Sequence, residues 1–371
     1  MPDGSHAKYA EGYLIYMRGT TLMVRPFDAN RRELQGEAEP LAEQLQTTSG
    51  SVTGAAGAFT VSETGVLAYQ TGSGAVRSQL VWHERGGKET SVLGDQADYA
   101  DVELSPDDQR VAVSVLDPAQ GTRDLWLYDV KRGLRTRFTY DAANEFEPIW
   151  SPDGDRLTFS RNKESVDLYQ KASSGSGSEG ALLEGGLGKF PADWSPDGRF
   201  ILYVAGGAAL WRSDLLVLPL FGDRKPFPFL ESSFVETRGQ FSPDGRWIAY
   251  ASNESGQLEI YVARFPEPGE KRLVSTAGGL WPRWRRDGTE LVYLAPDNTL
   301  TAATVNGEGA TFEVRAVRPL FAVRPRPMVT LGDYPYDMSA DGQRLLVNTL
   351  VEETASAAIT LVVNWTAGLR K

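Results

Sequence analysis

The side chains in this sequence that are best suited to hold a ligand are aromatic and charged residues that occur together in short stretches. Eight of them are candidates for a binding surface: Tyr99, Glu145, Phe146, Glu236, Arg238, Trp281, Arg283 and Tyr334. Large rings and arginines supply most of the energy of binding surfaces, because they bury apolar area and still make directed polar contacts. The chemistry that these residue types indicate is recognition of a ligand.

Acid–base catalysis has a smaller set of candidates. Glu145 and Glu147 lie two residues apart, and paired carboxylates can divide the roles of acid and base between them. A hydrolase or lyase that uses such carboxylates is therefore the alternative to a binding protein.

Other catalytic and metal chemistry lacks the residues that it needs. The chain contains no cysteine, which excludes thiolate metal sites and cysteine nucleophiles. Its two histidines are His6, near the N-terminus, and His83, which we expect in a solvent-facing polar hairpin. The sequence has no G-x-S-x-G stretch, no phosphate-binding loop and no D-x-D-x-D-G calcium loop. We therefore expect no cofactor, no metal site and no enzymatic activity.

The composition is typical of a folded protein with an acidic surface. Hydrophobic residues make up 41% and aromatic residues 10% of the 371 residues, and the net charge is −11. Nucleic acid is not expected as a partner, because phosphate binding needs a basic face. The longest apolar runs are far shorter than the roughly 18–20 residues of a membrane helix, and no N-terminal stretch has the pattern of a secretory signal. We expect no membrane insertion by this chain.

The elements that would position the candidate residues recur along the whole chain. A turn of the type Ser-Pro-Asp-Gly repeats at intervals of 43 to 54 residues, with its fourth residue at positions 12, 65, 108, 154, 198, 245, 288 and 342. Proline presets φ, aspartate bonds to the local backbone and glycine accepts a positive φ, so the turn forms a tight hairpin. Because turn aspartates such as Asp107 and Asp153 recur in most repeats, we interpret them as structural. The acids that open the third strand, such as Asp124 and Glu259, are interpreted in the same way.

Short runs of β-branched and aromatic residues surround each turn. One run precedes the turn, one follows it, and a third comes later, as in Leu80–Trp82 of the second repeat and Ile359–Val362 of the eighth. A more polar run closes most repeats. This pattern predicts an all-β protein, a β-propeller of four-stranded antiparallel blades. We expect eight repeat units that close as seven or eight blades in a single domain over residues 1–371.

The loops that join the outer strand of one blade to the inner strand of the next gather around the channel of a propeller. The eight candidate residues lie in or next to these predicted loops. An aromatic residue recurs near this place in most repeats, so packing between blades is the alternative role for the aromatic candidates. Arg238, Arg283, Glu145 and Glu236 depart more clearly from the repeat, which favours them as ligand contacts.

The S-P-D-G turns, followed by runs such as I-A-Y and E-I-Y, resemble the TolB-like β-propeller repeat, a relative of the WD-type repeat. Several longer stretches are similar to a narrower group, the propellers that follow a membrane-anchored eukaryotic-type Ser/Thr kinase in some bacteria: Thr20–Asp28, Gly121–Tyr128, Phe190–Gly198, Gly222–Leu230 and Pro282–Gly288. The chain has no H-R-D or D-F-G kinase stretch. It therefore resembles either the sensor portion of such a kinase or a stand-alone relative.

The resemblance implies a periplasmic or extracytoplasmic sensor or interaction module. Together with the residues it predicts a non-catalytic propeller that binds a protein, peptide or cell-envelope ligand, with a kinase domain as a further partner in a longer protein. The alternative is a propeller hydrolase or lyase that uses carboxylates at the channel mouth.

Overall fold

The computed structural model of this chain describes residues 5–45, 47–48, 56–62, 65–71, 76–206, 212–309, 311–327, 333–351 and 359–369. The chain divides into two compact units. Unit 1 comprises Met1–Ala75 and Glu352–Lys371, and unit 2 comprises Val76–Val351. The expectation of one domain over residues 1–371 stays a prediction.

Both units consist of antiparallel β-sheets, which confirms the predicted all-β fold class. Among the described residues, the only helix is a 3-10 helix over Trp365–Gly368. Within the same residues, no helix has the length and apolarity to cross a membrane.

Unit 1 contains the first nine strands of the chain and the last one. They are β1 (Ser5–Ala10), β2 (Tyr13–Arg18), β3 (Thr21–Asp28), β4 (Glu33–Leu34), β5 (Glu39–Ala42), β6 (Thr47–Thr48), β7 (Ala56–Gly57), β8 (Phe59–Val61), β9 (Val66–Gln70) and β34 (Ile359–Val363). Strands β1 to β5 form one sheet, β6 pairs with β7, and a three-stranded sheet has the order β34-β9-β8. Ile15, Leu22 and Leu67 are buried in one apolar cluster that joins the five-stranded and three-stranded sheets.

Unit 2 contains six four-stranded antiparallel sheets. Its strands are β10 (Ser78–Glu84), β11 (Glu89–Ala97), β12 (Tyr99–Leu104), β13 (Arg110–Asp117), β14 (Thr122–Asp129), β15 (Arg135–Arg137), β16 (Asn144–Trp150), β17 (Arg156–Asn162), β18 (Val166–Ala172), β19 (Gly180–Leu183), β20 (Gly188–Trp194), β21 (Phe200–Gly206), β22 (Ser213–Pro219), β23 (Phe227–Leu230), β24 (Glu236–Phe241), β25 (Trp247–Ser252), β26 (Glu259–Arg264), β27 (Arg272–Leu273), β28 (Leu280–Trp284), β29 (Glu290–Leu294), β30 (Thr299–Asn306), β31 (Glu313–Ala322), β32 (Tyr336–Met338) and β33 (Arg344–Leu350). Sheets 1 to 5 are β12–β15, β16–β19, β20–β23, β24–β27 and β28–β31. Sheet 6 has the order β32-β33-β10-β11, so it combines strands from both ends of unit 2.

Sheet 6 closes the six sheets into a ring. The first strands β12, β16, β20, β24 and β28 contact one another in sequence, and β32 of sheet 6 contacts β12. Leu346 of sheet 6 packs with Val113 of sheet 1, and Val347 packs with Leu300 of sheet 5. Because the first strands line the axis and apolar faces pack between sheets, unit 2 is a propeller of six blades.

The number of blades in this ring differs from the expected seven or eight, and the reason is an exchange of strands. All eight predicted turns join two antiparallel strands, but the turns near positions 12 and 65 belong to unit 1. Leu80–Trp82, expected to pair with β9, lies in β10 and pairs with β33. Ile359–Val362, expected to pair with β33, lies in β34 and pairs with β9. Two similar β-forming runs have thus exchanged partners.

The predicted turn chemistry is present in the structure. The turn serine donates its hydroxyl to the turn aspartate at 2.6 Å in Ser105–Asp107 and in Ser195–Asp197. The same Ser195 hydroxyl accepts the backbone N–H of Phe200 at 2.9 Å, and Gly198 has a φ of 73°. Hydrogen bonding to Ser105 lowers the pKa of Asp107, as expected for a carboxylate that holds a turn. The turns therefore fix where each first strand ends.

Candidate functional site

The residues nearest the axis of unit 2 occupy the second position before each turn. Five of the six are polar or charged: Glu103, Asp193, Gln240, Arg283 and Asp337. The sixth position is Ile149. We call the five polar residues the axial ring.

Part of the axial ring holds neighbouring blades together. Asp193 accepts the backbone N–H of Phe241 in the next blade at 2.7 Å, and Asp337 accepts that of Leu104 at 2.7 Å. Gln240 accepts the backbone N–H of Trp284 at 2.7 Å. Each aspartate also accepts a second backbone N–H, from the residue that follows it. These side-chain hydrogen bonds link neighbouring blades whose strands belong to separate sheets.

A cavity of about 490 Å³ opens at the turn end of the axis. We call it the turn-end chamber. Its lining includes the axial ring, three tryptophans at the ends of first strands, four turn prolines and one arginine: Glu103, Asp193, Gln240, Arg283, Asp337, Trp150, Trp194, Trp284, Pro106, Pro152, Pro196, Pro243 and Arg286. Arg286 stands where four of the repeats have the turn proline, and its guanidinium donates to the carbonyl oxygen of Pro106.

The carboxyl groups of the chamber are poorly compensated by positive charge. Burial raises the pKa of Glu103 to about 8 and that of Asp193 to about 7. Burial also raises the pKa of Asp337. Arg283 lies between Glu103 and Asp337, with its Nε 3.4 Å from Asp337 Oδ1. Burial alone would lower the pKa of Arg283, but these two carboxylates raise it above its ordinary value.

Four of the eight predicted site residues form one connected group along the axis. The guanidinium of Arg283 lies 3.9 Å from the ring centre of Tyr334, and the Tyr334 hydroxyl donates to the carbonyl of Arg238 at 2.9 Å. The guanidinium of Arg238 lies 4.6 Å from the ring centre of Trp281. Burial lowers the pKa of Arg238, and cation–π contact stabilises such a desolvated cation. This axial column reaches the turn-end chamber at Arg283.

A bulge in the first strands aims this column at the axis. One extra residue interrupts the register of β24 between Thr237 and Gln240, and of β28 between Leu280 and Arg283. The residue at the corresponding place has a positive φ in four blades: Asp101, Glu147, Arg238 and Trp281, at 53° to 56°. Left-handed backbone is uncommon for such residues, and bulges redirect side chains next to functional sites.

The other four predicted site residues lie within or between blades. The hydroxyls of Tyr99 and Tyr128 are 2.7 Å apart, and Phe146 stacks on Phe190 with ring centres 6.2 Å apart. Glu236 is buried and accepts the hydroxyl of Ser232 at 2.6 Å. These contacts fit packing roles, and ligand binding by these residues stays a prediction.

Glu145, the fourth of these residues, has surroundings different from those of Glu147. Its carboxylate accepts Arg161 Nε at 2.8 Å, and burial raises its pKa to about 7. Glu147 sits at the bulge of β16, where its backbone N–H donates to Asp101 at 2.9 Å. The Glu145 carboxylate is therefore paired with an arginine of its own blade, which does not favour it as one member of an acid–base pair.

The expectation for His83 was wrong. His83 lies in β10, only 6% exposed, and its ring stacks on Phe321 with centres 5.2 Å apart. It is buried because β10 is an interior strand of sheet 6, between β11 and β33. The side chain of His6 lies outside the described residues. Within the described part of the chain, no group of three or more acidic or histidine side chains could hold a metal ion.

Sequence reasoning missed Glu103, Asp193 and Asp337. A signal was present, because each is an acidic residue two positions before a turn, in a strand that otherwise reads as buried. The acids that open the third strand agree with their structural interpretation. Glu259, for example, accepts the backbone N–H of Gly278 at 2.9 Å.

Comparison with known proteins supports the fold and leaves the family open. No protein-family model matches the chain. The peptidase YuxL of Bacillus subtilis, itself uncharacterized, is 25% identical over 40% of this chain and 31% of its own length. The uncharacterized protein Atu1656 of Agrobacterium fabrum is 26% identical over 40% of this chain and 50% of its own length. The chain thus spans a third to a half of these curated relatives.

Solved structures similar to this chain include TolB propellers. A protein assigned as TolB from Agrobacterium tumefaciens has a TM-score of 0.57 at 17% identity, over 75% of this chain and 99% of that one. TolB of Acinetobacter baumannii has a TM-score of 0.50 at 15% identity, over 90% and 78%. A puromycin-hydrolyzing peptidase of Mycobacterium tuberculosis has a TM-score of 0.50 at 18% identity, over 68% and 44%. At these identities the likeness establishes the propeller fold alone.

Proposed function

We propose that this chain is a non-catalytic binding module whose ligand, a protein, a peptide or a cell-envelope fragment, occupies the turn-end chamber of unit 2. The observation that carries this proposal is the chamber itself. It is a concave cavity of about 490 Å³ on the axis, lined by charged side chains that the blades hold in place. Convergent polar groups in a preformed cavity are typical of ligand sites.

The hydrogen bonding of the chamber favours binding over catalysis. Both oxygens of Asp193 and both oxygens of Asp337 accept backbone N–H groups, and Glu103 is paired with Arg283. A general acid or base must exchange a proton with its substrate. Carboxylates whose oxygens already accept hydrogen bonds from two blades are better suited to give a binding site its shape and charge than to transfer protons.

One observation favours the alternative, a hydrolase or lyase at the channel mouth. Glu103 and Asp193 line the same chamber, and burial raises their pKa values to about 8 and about 7. Groups that titrate near neutral pH are common in active sites. The relatives named as peptidases do not decide this question, because the matched regions cover 31% and 44% of their chains.

The cellular setting that we propose rests on the resemblance of the repeats to kinase-associated propellers. In that setting the chain is the periplasmic or extracytoplasmic sensor of a bacterial signalling kinase or of a cell-envelope system. Ligand binding would then be relayed to a kinase domain of a longer protein.

A thermal-shift screen tests the proposed function. The panel contains cell-wall fragments, oligosaccharides and peptides, and it is followed by pull-down of envelope proteins. A ligand at 100 times its Kd adds about 2.7 kcal/mol to the stability. We expect to find a ligand that raises the melting temperature of the unchanged protein and of Arg132→Ala but not that of Arg286→Ala. Arg132 is an exposed arginine remote from the chamber, so its replacement is the matched control.

Two outcomes would contradict the proposal. One is the absence of any ligand, small or macromolecular, whose binding depends on Arg286. The other is turnover of a glycoside, lactone or peptide that Glu103→Gln abolishes while the variant keeps its melting temperature.

A further inference from the structure

We propose that two copies of this chain associate through β34, the edge strand of the three-stranded sheet in unit 1. The two β34 strands pair antiparallel about a two-fold axis at Leu361, so that two sheets of three strands become one sheet of six. The surface involved belongs to unit 1, whereas the turn-end chamber belongs to unit 2.

One face of the three-stranded sheet is apolar and open to solvent. Ile359, Leu361 and Val363 of β34 are 69%, 66% and 67% exposed, and alternate residues of a strand point to the same face. On the neighbouring strand β9, Ala68 lies opposite Leu361 and Val66 lies opposite Val363. Exposed apolar side chains usually occur singly, and a contiguous group of them is typical of an interaction surface.

The same three residues of β34 direct their backbone groups away from the sheet. The backbone N–H of Asn364, just after β34, donates to the carbonyl of Gly65 at 3.1 Å. In an antiparallel pair every second residue exchanges hydrogen bonds with the partner strand. The even-numbered residues of β34 therefore bond to β9, and the odd-numbered ones present their N–H and C=O groups at the edge. Among the described residues, no strand pairs with β34 on that side.

The edge of β34 also lacks the residues that normally prevent pairing. Strand edges are commonly protected by charged residues and prolines. Five of the six outer strands of unit 2, β11, β15, β23, β27 and β31, contain such a residue, and the sixth, β19, lies between Glu179 and Glu184. The strands β8, β9 and β34 contain neither a charged residue nor a proline.

The distribution of charge favours a second copy of the chain as the partner. The chain has a net charge of −11, so most contacts between two copies would place acidic surfaces against each other. The uncharged three-stranded sheet can meet its own copy without this repulsion.

The sequence of β34 fits a two-fold contact as well. An axis at Leu361 places Leu361 opposite its own copy and Ile359 opposite Val363 of the other chain, so the contact is the same on both sides. Each of these residue pairs can form two backbone hydrogen bonds, and the apolar side chains of both copies lie on one continuous face. Because the contact is confined to one strand of five residues and its flanks, we expect a monomer–dimer equilibrium in the micromolar range.

Sedimentation of the full chain at a series of concentrations tests the association. We expect the average mass to rise from that of one chain toward that of two between about 1 and about 200 μM. Leu361→Lys places like charges at the axis and should weaken the dimer at least about tenfold. Val92→Lys is the matched control, because Val92 is an apolar residue of the outer strand β11 that is 51% exposed. Melting curves check that both variants fold.

Single cysteines test the register, since the chain has no cysteine of its own. Leu361→Cys should form a covalent dimer on mild oxidation, because the paired Cα atoms lie about 5.5 Å apart. Ile359→Cys should stay reduced, because its two copies are separated by four residues along the strands, about 13 Å. Non-reducing gels measure both.

Four results would overturn the proposal. The first is a chain that stays monomeric, and slow exchange of the amide protons of residues 359, 361 and 363 would then show that another segment of the chain covers the edge. The second is a dimer that Leu361→Lys leaves unchanged. The third is cross-linking of Ile359→Cys as readily as Leu361→Cys, which would indicate unspecific apolar contact. The fourth is association beyond a dimer, because a two-fold contact uses the same edge in both copies and closes.

Discussion

At the scale of single residues, buried carboxyl groups are the most distinctive feature of unit 2. Asp193 and Glu103 line the turn-end chamber and Glu145 lies in β16, each held by hydrogen bonds or by an arginine. Burial raises the pKa of all three into the range of about 7 to about 8. Ionising these groups therefore requires more free energy in the folded protein than in the unfolded chain.

The sign of the resulting pH dependence is opposite to that of ordinary acid denaturation. In the unfolded chain an aspartate has a pKa of about 3.9, whereas Asp193 in the folded protein has a pKa of about 7. The protonated side chain therefore stabilises the folded protein fully when the pH is below the pKa of the unfolded chain. This contribution to the free energy of unfolding is lost as the pH rises through the pKa of the folded protein. We expect the free energy of unfolding to fall by on the order of 1–3 kcal/mol between about pH 5.5 and about pH 8.5.

Urea unfolding followed by tryptophan fluorescence at several pH values measures this slope. Asp193→Asn should make it shallower, and Asp223→Asn should not change it. A free energy of unfolding that stays constant or rises across this window would contradict the assignment of buried, protonated carboxyl groups.

At the scale of elements, the turn serines stabilise the ends of the first strands. The Ser195 hydroxyl donates to Asp197 at 2.6 Å and accepts the N–H of Phe200 at 2.9 Å. We expect Ser195→Ala to destabilise the protein by about 1–2 kcal/mol, because two hydrogen bonds of a nearly buried group are lost. Ser174→Ala, in an exposed outer hairpin, is the control, and equal melting temperatures for the two variants would show that the turn bonds contribute little.

The exchange of strands belongs to the same scale and can be tested by cross-linking. Gln79 of β10 and Thr349 of β33 are directly paired, and the chain has no cysteine of its own. We expect the double variant Gln79→Cys and Thr349→Cys to form a disulfide on mild oxidation, because paired Cα atoms lie within its reach. Thr349→Cys with Thr360→Cys, the pair expected from a direct hairpin of β33 and β34, should stay reduced. The reverse result would restore the pairing predicted from the repeats.

At the scale of the whole molecule, unit 2 contains every strand of its own ring. The strands β10 and β11 from its start and β32 and β33 from its end form one sheet. We expect residues 76–351 to unfold in one cooperative transition when produced alone. Residues 76–331, which lack β32 and β33, should not, because blades 1 and 5 lose the sheet that covers their apolar faces. Circular dichroism melts and size-exclusion chromatography measure both, and an unfolded 76–351 fragment would show that the ring is not autonomous.

The sequence alone determined the local features of this protein. The eight turns, the strands beside them and the all-β class follow from Pro, Asp and Gly chemistry and from runs of β-branched residues, because these preferences act over a few residues. The structural role of the turn aspartates could be inferred for the same reason. Arg283 could be singled out because it departs from the repeat, and it does line the chamber.

Only the tertiary structure decided which strands pair and which side chains face the axis. β10 and β34 have similar sequences, so the choice between β9 and β33 as partner depends on packing between residues that lie far apart in the chain. The direction of the Arg238 and Trp281 side chains depends on a bulge with positive φ. The residue types at these positions do not predict such a bulge. Glu103, Asp193 and Asp337 become a site only when six blades close around one axis, because closure brings together groups that the sequence separates by more than forty residues.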